Sequence, residues 1–282
     1  MYICGQENLR VRLDYLIKEN KLPRFIIICG DVGYGKKVIS DYIAKSINAN
    51  FVPCELKVES VRDVVNNSYT VTEKTLYMFA DCDSMSTQSK NALLKVTEEP
   101  SNNSYFVMTV KDISNILGTL ISRGTVFYME PYTQKDILDF IDYKKYSFTS
   151  DVLNIIKNIC ICPQDVMEAS NVDIKQVYEL ADKFIQFIGN ANLGNELKMV
   201  TMLSTKKDDN KISPVIFLRC ILLQCNRYIM ENCSKEDLKA FNVIIKQTCK
   251  AIQDLNHKGS SKQIILDNWI VNTHMLITGG EF

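Results

Sequence analysis

Net charge is the first thing this 282-residue chain lacks, since 33 Lys and Arg stand against 33 Asp and Glu. Without a broad basic field, any contact with nucleic acid has to be local or shared with partners. Metal-site spacing is missing as well. The ten cysteines are scattered without a CxxC pair, and Cys160 and Cys162 lie too close together for a usual zinc knuckle. They read as small apolar thiols in a reducing compartment. The N-terminus has no charged-then-apolar leader pattern. The longest apolar stretch, Val215 to Met230, is interrupted by Arg219, Gln224 and Arg227, which makes it a core helix and not a membrane span. No internal repeat or low-complexity tract is present. These absences together lead to the expectation of a soluble cytoplasmic protein with no membrane partner.

What the chain does have is 46% hydrophobic residues, enough at this length for one large domain or about two to three small ones. The stretch Arg24 to Lys37, RFIIICGDVGYGKK, organises the rest. Phe25 to Cys29 is an unbroken apolar run rich in β-branched residues and reads as a strand buried on both faces. Gly30, Gly33, Gly35 and Lys36 follow with the spacing GxxxxGK, and Val38, Ile39, Tyr42, Ile43 and Ile47 then recur at helical spacing. A strand, a glycine loop and a helix in that order are the context the phosphate-loop motif needs. Glycines let backbone N–H groups turn in around phosphate oxygens, the helix N-terminus adds a positive dipole end, and the lysine adds a full charge. Gly30, Val32, Gly33, Tyr34, Gly35, Lys36, Lys37 and Val38 are therefore the candidate nucleotide-binding residues. One position departs from the motif: Lys37 stands where a Ser or Thr hydroxyl would ligate Mg²⁺. An ammonium cannot ligate a cation, so ATP or ADP could bind while metal-assisted hydrolysis is put in question. The plainer alternative is a glycine turn before a helix that binds nothing.

Along the chain, Gln6 to Asn20 reads as an amphipathic helix. Phe51 to Leu56, Leu76 to Ala80, Tyr105 to Val110 and Val126 to Met129 read as further strands, with helices at Val58 to Val65 and Asn91 to Pro100. Strands alternating with helices argue for a five-stranded parallel sheet covered on both faces. Asp81 and Asp83 close the third of these strands. In phosphate-loop proteins such carboxylates hold the metal's water shell or polarise the attacking water, though these two could also be merely solvated strand ends. After Pro131 the pattern turns to helices alone: Gln134 to Tyr143, Ser150 to Cys160, Asp165 to Ser170, and longer ones from Ile174 onward. Ser213-Pro214 opens the most apolar of these, Phe241 to Leu255 forms a further stripe, and Ile264 to Met275 carries the single Trp269. Lys206 to Lys211 reads as a solvated connection.

Five segments carry a resemblance: Gly5-Gln6-Glu7-Asn8, Lys21-Leu22-Pro23, the loop GDVGYGKK, the run NALLKVTEEP over 91–100, and Leu120-Ile121-Ser122-Arg123. By their order and spacing the chain resembles the clamp-loader branch of the AAA+ ATPases, most closely its delta-prime (stator) subunits. The resemblance implies an α/β AAA+ P-loop domain over 1–132, a small helical lid over 133–171 and an all-α oligomerisation collar over 172–282. It implies as partners other clamp-loader subunits, a sliding clamp and primer-template DNA. It also implies ATP at subunit interfaces, with the arginine of the SRC motif, here Arg123, reaching a neighbour's nucleotide. A DNA-phosphate contact is implied at the helix starting near Ser86, with Lys90 one turn in.

Departures from the family run in one direction. Aligned through NALLK, its acidic box falls on Ala80-Asp81-Cys82-Asp83, so the metal-side Asp becomes Ala80 and the water-activating Glu becomes Asp81. The first sensor falls on Val110, with Thr109 one position off, and the second-sensor arginine on Gln164. Groups of this kind are typically worth roughly two to four kcal/mol each. Gly124 replaces the Cys of SRC, and the zinc module usual after the loop helix is absent. A broken site in cis with Arg123 kept is the stator pattern; an active, homo-oligomeric ATPase is the alternative. Taken alone, Arg123 reads equally as a surface salt bridge, and Lys90 as an ordinary lysine on an exposed helix face.

Overall fold

The computed structural model describes residues 2–188, 193–204, 213–231, 234–256 and 261–279, so the Lys206 to Lys211 segment lies outside the described residues. The chain divides into two compact units, 1–136 and 137–282. The second takes in the segment expected as a collar and all but residues 133–136 of the one expected as a lid.

Unit 1 is built on five strands: β1 (Phe25–Cys29), β2 (Asn50–Cys54), β3 (Thr75–Phe79), β4 (Ser104–Val110) and β5 (Thr125–Tyr128). Every neighbouring pair is parallel, in the order β2-β3-β4-β1-β5. Residues of β1, β3 and β4 are buried along their whole length, which is why these strands read as continuous apolar runs. β2 is an edge strand and half exposed, and it tolerates Pro53 because an edge need not donate on both sides. From β1 the chain jumps to the far edge and works back before crossing β1 to reach β5. The loop after β1 therefore opens at the carboxyl edge of the sheet, near the reversal of strand order where α/β folds bind ligands.

Six helices cover this sheet: α1 (Glu7–Lys18), α2 (Lys36–Ser46), α3 (Val58–Asn67), α4 (Thr87–Ala92), α5 (Leu94–Glu98) and α6 (Gly118–Ile121). The helix expected from Asn91 to Pro100 starts earlier, at Thr87, and is interrupted at Leu93. Ser86 starts it by accepting the amide of Ser89 on its side chain. Leu93 and Val96 enter a core with Phe25, Phe79, Phe106, Met108 and Leu120.

Helix α7 (Gln134–Lys144) runs across the division. Unit 2 continues with α8 (Ser150–Ile159), α9 (Pro163–Ser170), α10 (Ile174–Phe187), α11 (Leu193–Ser204), α12 (Pro214–Met230), α13 (Lys235–Leu255) and α14 (Lys262–Thr278). Pro163 is the first residue of α9, two before the expected start, and Pro214 fills the same position in α12. Helices α8, α9 and α10 all pack on α12. The centre of the unit is aromatic: Phe184 stacks on Trp269 with centroids 5.1 Å apart and meets Phe217 edge-on, while the Trp269 indole donates to the Thr248 hydroxyl at 3.1 Å. Among the described residues no helix is long and apolar enough to cross a membrane.

Candidate functional site

The glycine loop leaves β1 and enters α2 through two left-handed residues, Gly33 (φ 84°) and Gly35 (φ 85°). Only glycine takes these angles without strain, and Gly35 as N-cap leaves the first amides of α2 without intrahelical partners. The loop's base is fixed by the Gly30 amide, which donates to the Val110 carbonyl at 3.0 Å. Lys36 is buried, and its ammonium donates to the carbonyls of Gly30 (2.5 Å) and Asp31 (2.9 Å). Burial pulls its pKa down from the usual value, against the opposing charges of Asp81, Asp83 and Asp31. Tyr34, a non-glycine loop residue, is turned inward. Its ring meets Tyr132 edge-on at 5.3 Å, and the Tyr132 hydroxyl donates to its carbonyl at 2.6 Å. Val32, Lys37 and Val38 are exposed, so Val38 does not share the apolar face its spacing suggested.

Asp81 follows β3 in a left-handed conformation (φ 56°), and its amide donates to the Thr109 hydroxyl at 3.0 Å. Thr109 is thus the polar residue at the end of β4 that touches the acidic turn, whereas the Val110 side chain is sealed in the core. Asp83 serves the fold. Its carboxylate accepts the amides of Lys111 (2.7 Å) and Asp112 (2.9 Å) and the Asn115 side chain (3.3 Å). Burial pushes this carboxyl up, but those donors outweigh it and hold the group below the usual carboxylate range.

Lys90 corrects the expectation of an exposed helix-face lysine. It is 7% exposed, with its ammonium on the Asn115 carbonyl at 2.6 Å. Around the start of α4 runs a groove of about 880 Å³ in which Glu55 and Glu59 alternate with Lys57 and Arg62 beside Ser86 and Gln88. Gln164 is exposed and donates to Glu168 at 2.9 Å.

Arg123 lies just before β5, at the other end of the sheet from the phosphate loop. Thr125 pairs with Ile26 near the start of β1, so about 13 Å of strand separates that level from Gly30, at about 3.3 Å per residue. Its Nη2 forms an ion pair with Glu98 at 2.6 Å, and its Nη1 donates to the Thr119 carbonyl at 2.8 Å. The GQEN segment proves to be an anchor: the Gln6 amide exchanges two hydrogen bonds with the backbone of Glu130, at 2.6 and 2.9 Å.

The residues present suit a polyphosphate, because the left-handed glycines and the open start of α2 form an anion cradle once Lys36 leaves the loop carbonyls. They do not suit a magnesium ion. Lys37 and Ala80 offer no ligand where the motif expects a hydroxyl and a carboxylate, and Asp83 is committed to backbone amides. Sequence reasoning missed Glu98, Tyr132 and Thr109 as partners. Thr109 alone left a signal there, one place from the sensor position.

The family described as DNA polymerase III, delta subunit, matches residues 54–133, a span that includes the acidic turn and Arg123. The chain is 25% identical to DNA polymerase III subunit gamma of Buchnera aphidicola subsp. Schizaphis graminum, over 86% of its own length and 74% of that protein. It is 24% identical to DNA polymerase III subunit gamma/tau of Mycoplasma genitalium, over 89% of its own length and 50% of that protein. This chain is similar to the AAA+ clamp-loader subunits. The clamp-loader likeness extends to the replication factor C small subunit of Natronomonas pharaonis, at 25% identity over 46% of the chain and 43% of that protein. In fold, the chain is like the Thermotoga maritima RuvB Holliday junction branch migration motor, with a TM-score of 0.50 at 17% identity, covering 81% of this chain and 76% of that one.

Proposed function

We propose that this chain is a clamp-loader subunit of a DNA polymerase III-like replication machine, acting as a delta-prime-like stator. It joins other loader subunits, leaves ATP hydrolysis to a neighbour, and presents Arg123 to that neighbour's nucleotide while a sliding clamp is loaded on primer-template DNA. The observation that carries this reading is positional. Arg123 sits before the edge strand β5, a strand's length from its own phosphate loop, and that separation supports a role toward another chain's site over its own. A guanidinium delivered to a transferring phosphate supplies positive charge that the partner's own site lacks and so stabilises the negative charge of the transition state. In cis, Ala80, Lys37 and the committed Asp83 remove the metal-dependent step, so a nucleotide bound at Lys36 would serve to hold the loop in place.

The curated relatives named gamma and gamma/tau favour a second reading, an ATPase subunit that fires its own site. One experiment separates the two. ATP turnover is measured for the chain alone, then with its loader subunits, clamp and primed DNA, using wild type and Arg123→Ala. The stator reading expects silence from the chain alone and a loss of about a hundredfold or more in the mixture on Arg123→Ala with assembly intact. Turnover by the chain alone, abolished by Lys36→Ala, sinks it in favour of the second.

A further inference from the structure

Arg123 is fixed more firmly than an idle surface arginine needs to be. The amides of Ser122, Arg123 and Gly124 donate to the carbonyls of Gly118 and Leu120, which pins the backbone to α6. Gly124 is seated so closely that an added Cβ would lie 2.9 Å from the Phe25 ring and 3.1 Å from Ile27. Beyond that backbone, the guanidinium is held at two nitrogens, by the Thr119 carbonyl and by the Glu98 carboxylate. Its remaining N–H donors have no partner among the described residues. Glu98 closes α5 and meets Arg123 from across the sequence. The pair is half exposed and so adds little to stability. Its use must lie elsewhere: a long side chain with large rotamer freedom catalyses poorly unless its charge is already in place.

We propose that Glu98 is a positioning residue for Arg123. It holds the guanidinium in one orientation at the rim of the sheet, so that a neighbouring subunit's nucleotide meets a fixed charge with donors to spare. This rests on the trans role of Arg123 proposed above.

The test is ATP turnover of the full assembly containing wild type, Glu98→Gln, Glu98→Asp, Arg123→Ala or the Glu98→Gln/Arg123→Ala pair, with complex formation followed by gel filtration. The expected result for Glu98→Gln is a fall of roughly fivefold in kcat with KM for ATP and assembly unchanged. Aspartate should recover part of the loss, and adding Glu98→Gln to Arg123→Ala should lower nothing further. A purely structural role for the pair would move assembly or add to the arginine's loss. If Arg123→Ala lowers turnover while Glu98→Gln leaves it unchanged or raises it, the positioning role is overturned and the trans arginine stands. If Arg123→Ala itself has no effect, both fall.

Discussion

Gly124 stands where the clamp-loader motif has cysteine, and the reason is steric. Phe25 occupies the space a β-carbon would need, with two ring carbons at 2.9 Å, and that ring is itself buried at 3% exposure. The glycine and the large phenylalanine are complementary choices at one contact. Gly124→Ala is expected to destabilise unit 1 by about 1–3 kcal/mol through overpacking, visible as a lowered Tm in circular dichroism. An unchanged Tm would mean the Phe25 ring swings aside freely. The same economy runs through the acidic turn. Asp83 and Thr109 lie beside the positions where a hydrolysing enzyme keeps chemistry, and both are spent on backbone amides.

At the scale of elements, the ends of helices decide which residues can act. Helix α9 begins at Pro163 because Asp165 turns back to accept the amides of Ile161 (2.9 Å) and Cys162 (3.1 Å). The same carboxylate pairs with Arg219 of α12 at 2.5 Å, with both side chains nearly buried. Arg219 also donates to the Ile159 carbonyl at 3.1 Å, closing the end of α8. Asp165→Ala strands a buried guanidinium and uncaps α9 at once, so a loss of about 3–5 kcal/mol is expected. Asp165→Asn, which keeps an acceptor for the two amides, should lose less. Trp269, the single tryptophan, lies buried in the same unit, so its fluorescence during urea unfolding reads the change directly. Equal stability of the alanine variant and the wild type would refute the strut.

Elements also set how much the sequence could tell. The strands were legible to within a residue or two because parallel strands buried on both faces leave unbroken apolar runs. Only at β2 does the expected strand run two residues past the observed end, and start one residue late, at the exposed edge where burial no longer constrains composition. Helices α6 and α11 carried no signal strong enough to read, the first being four residues long. The glycine loop, Asp81 and Arg123 were readable as residues, but their surroundings were not. That Lys36 turns onto its own loop, that Lys90 is buried against Asn115 and that Arg123 pairs with Glu98 all depend on segments the fold brings together from 25 residues apart or across a turn.

Across the whole molecule the decisive quantity is charge, because the chain carries as many acidic as basic residues. The groove beside α4 repeats that balance locally, with Glu55 and Glu59 set among Lys57 and Arg62, and Lys90, the lysine expected on a DNA phosphate, is buried. Affinity for nucleic acid comes mainly from releasing counterions at neutralised phosphates, and a neutral groove releases few. The isolated chain is therefore expected to hold a labelled primer-template no tighter than about 10⁻⁴ M at physiological salt, with a shallow salt dependence. Fluorescence anisotropy across a salt series measures both quantities. Within a loader assembly the same weak contact becomes intramolecular, and several such contacts along one duplex multiply, so affinity should rise far more than any new residue could explain. Micromolar binding by the chain alone with a steep salt slope would mean that a local patch suffices, and that DNA contact here does not depend on the company of other subunits.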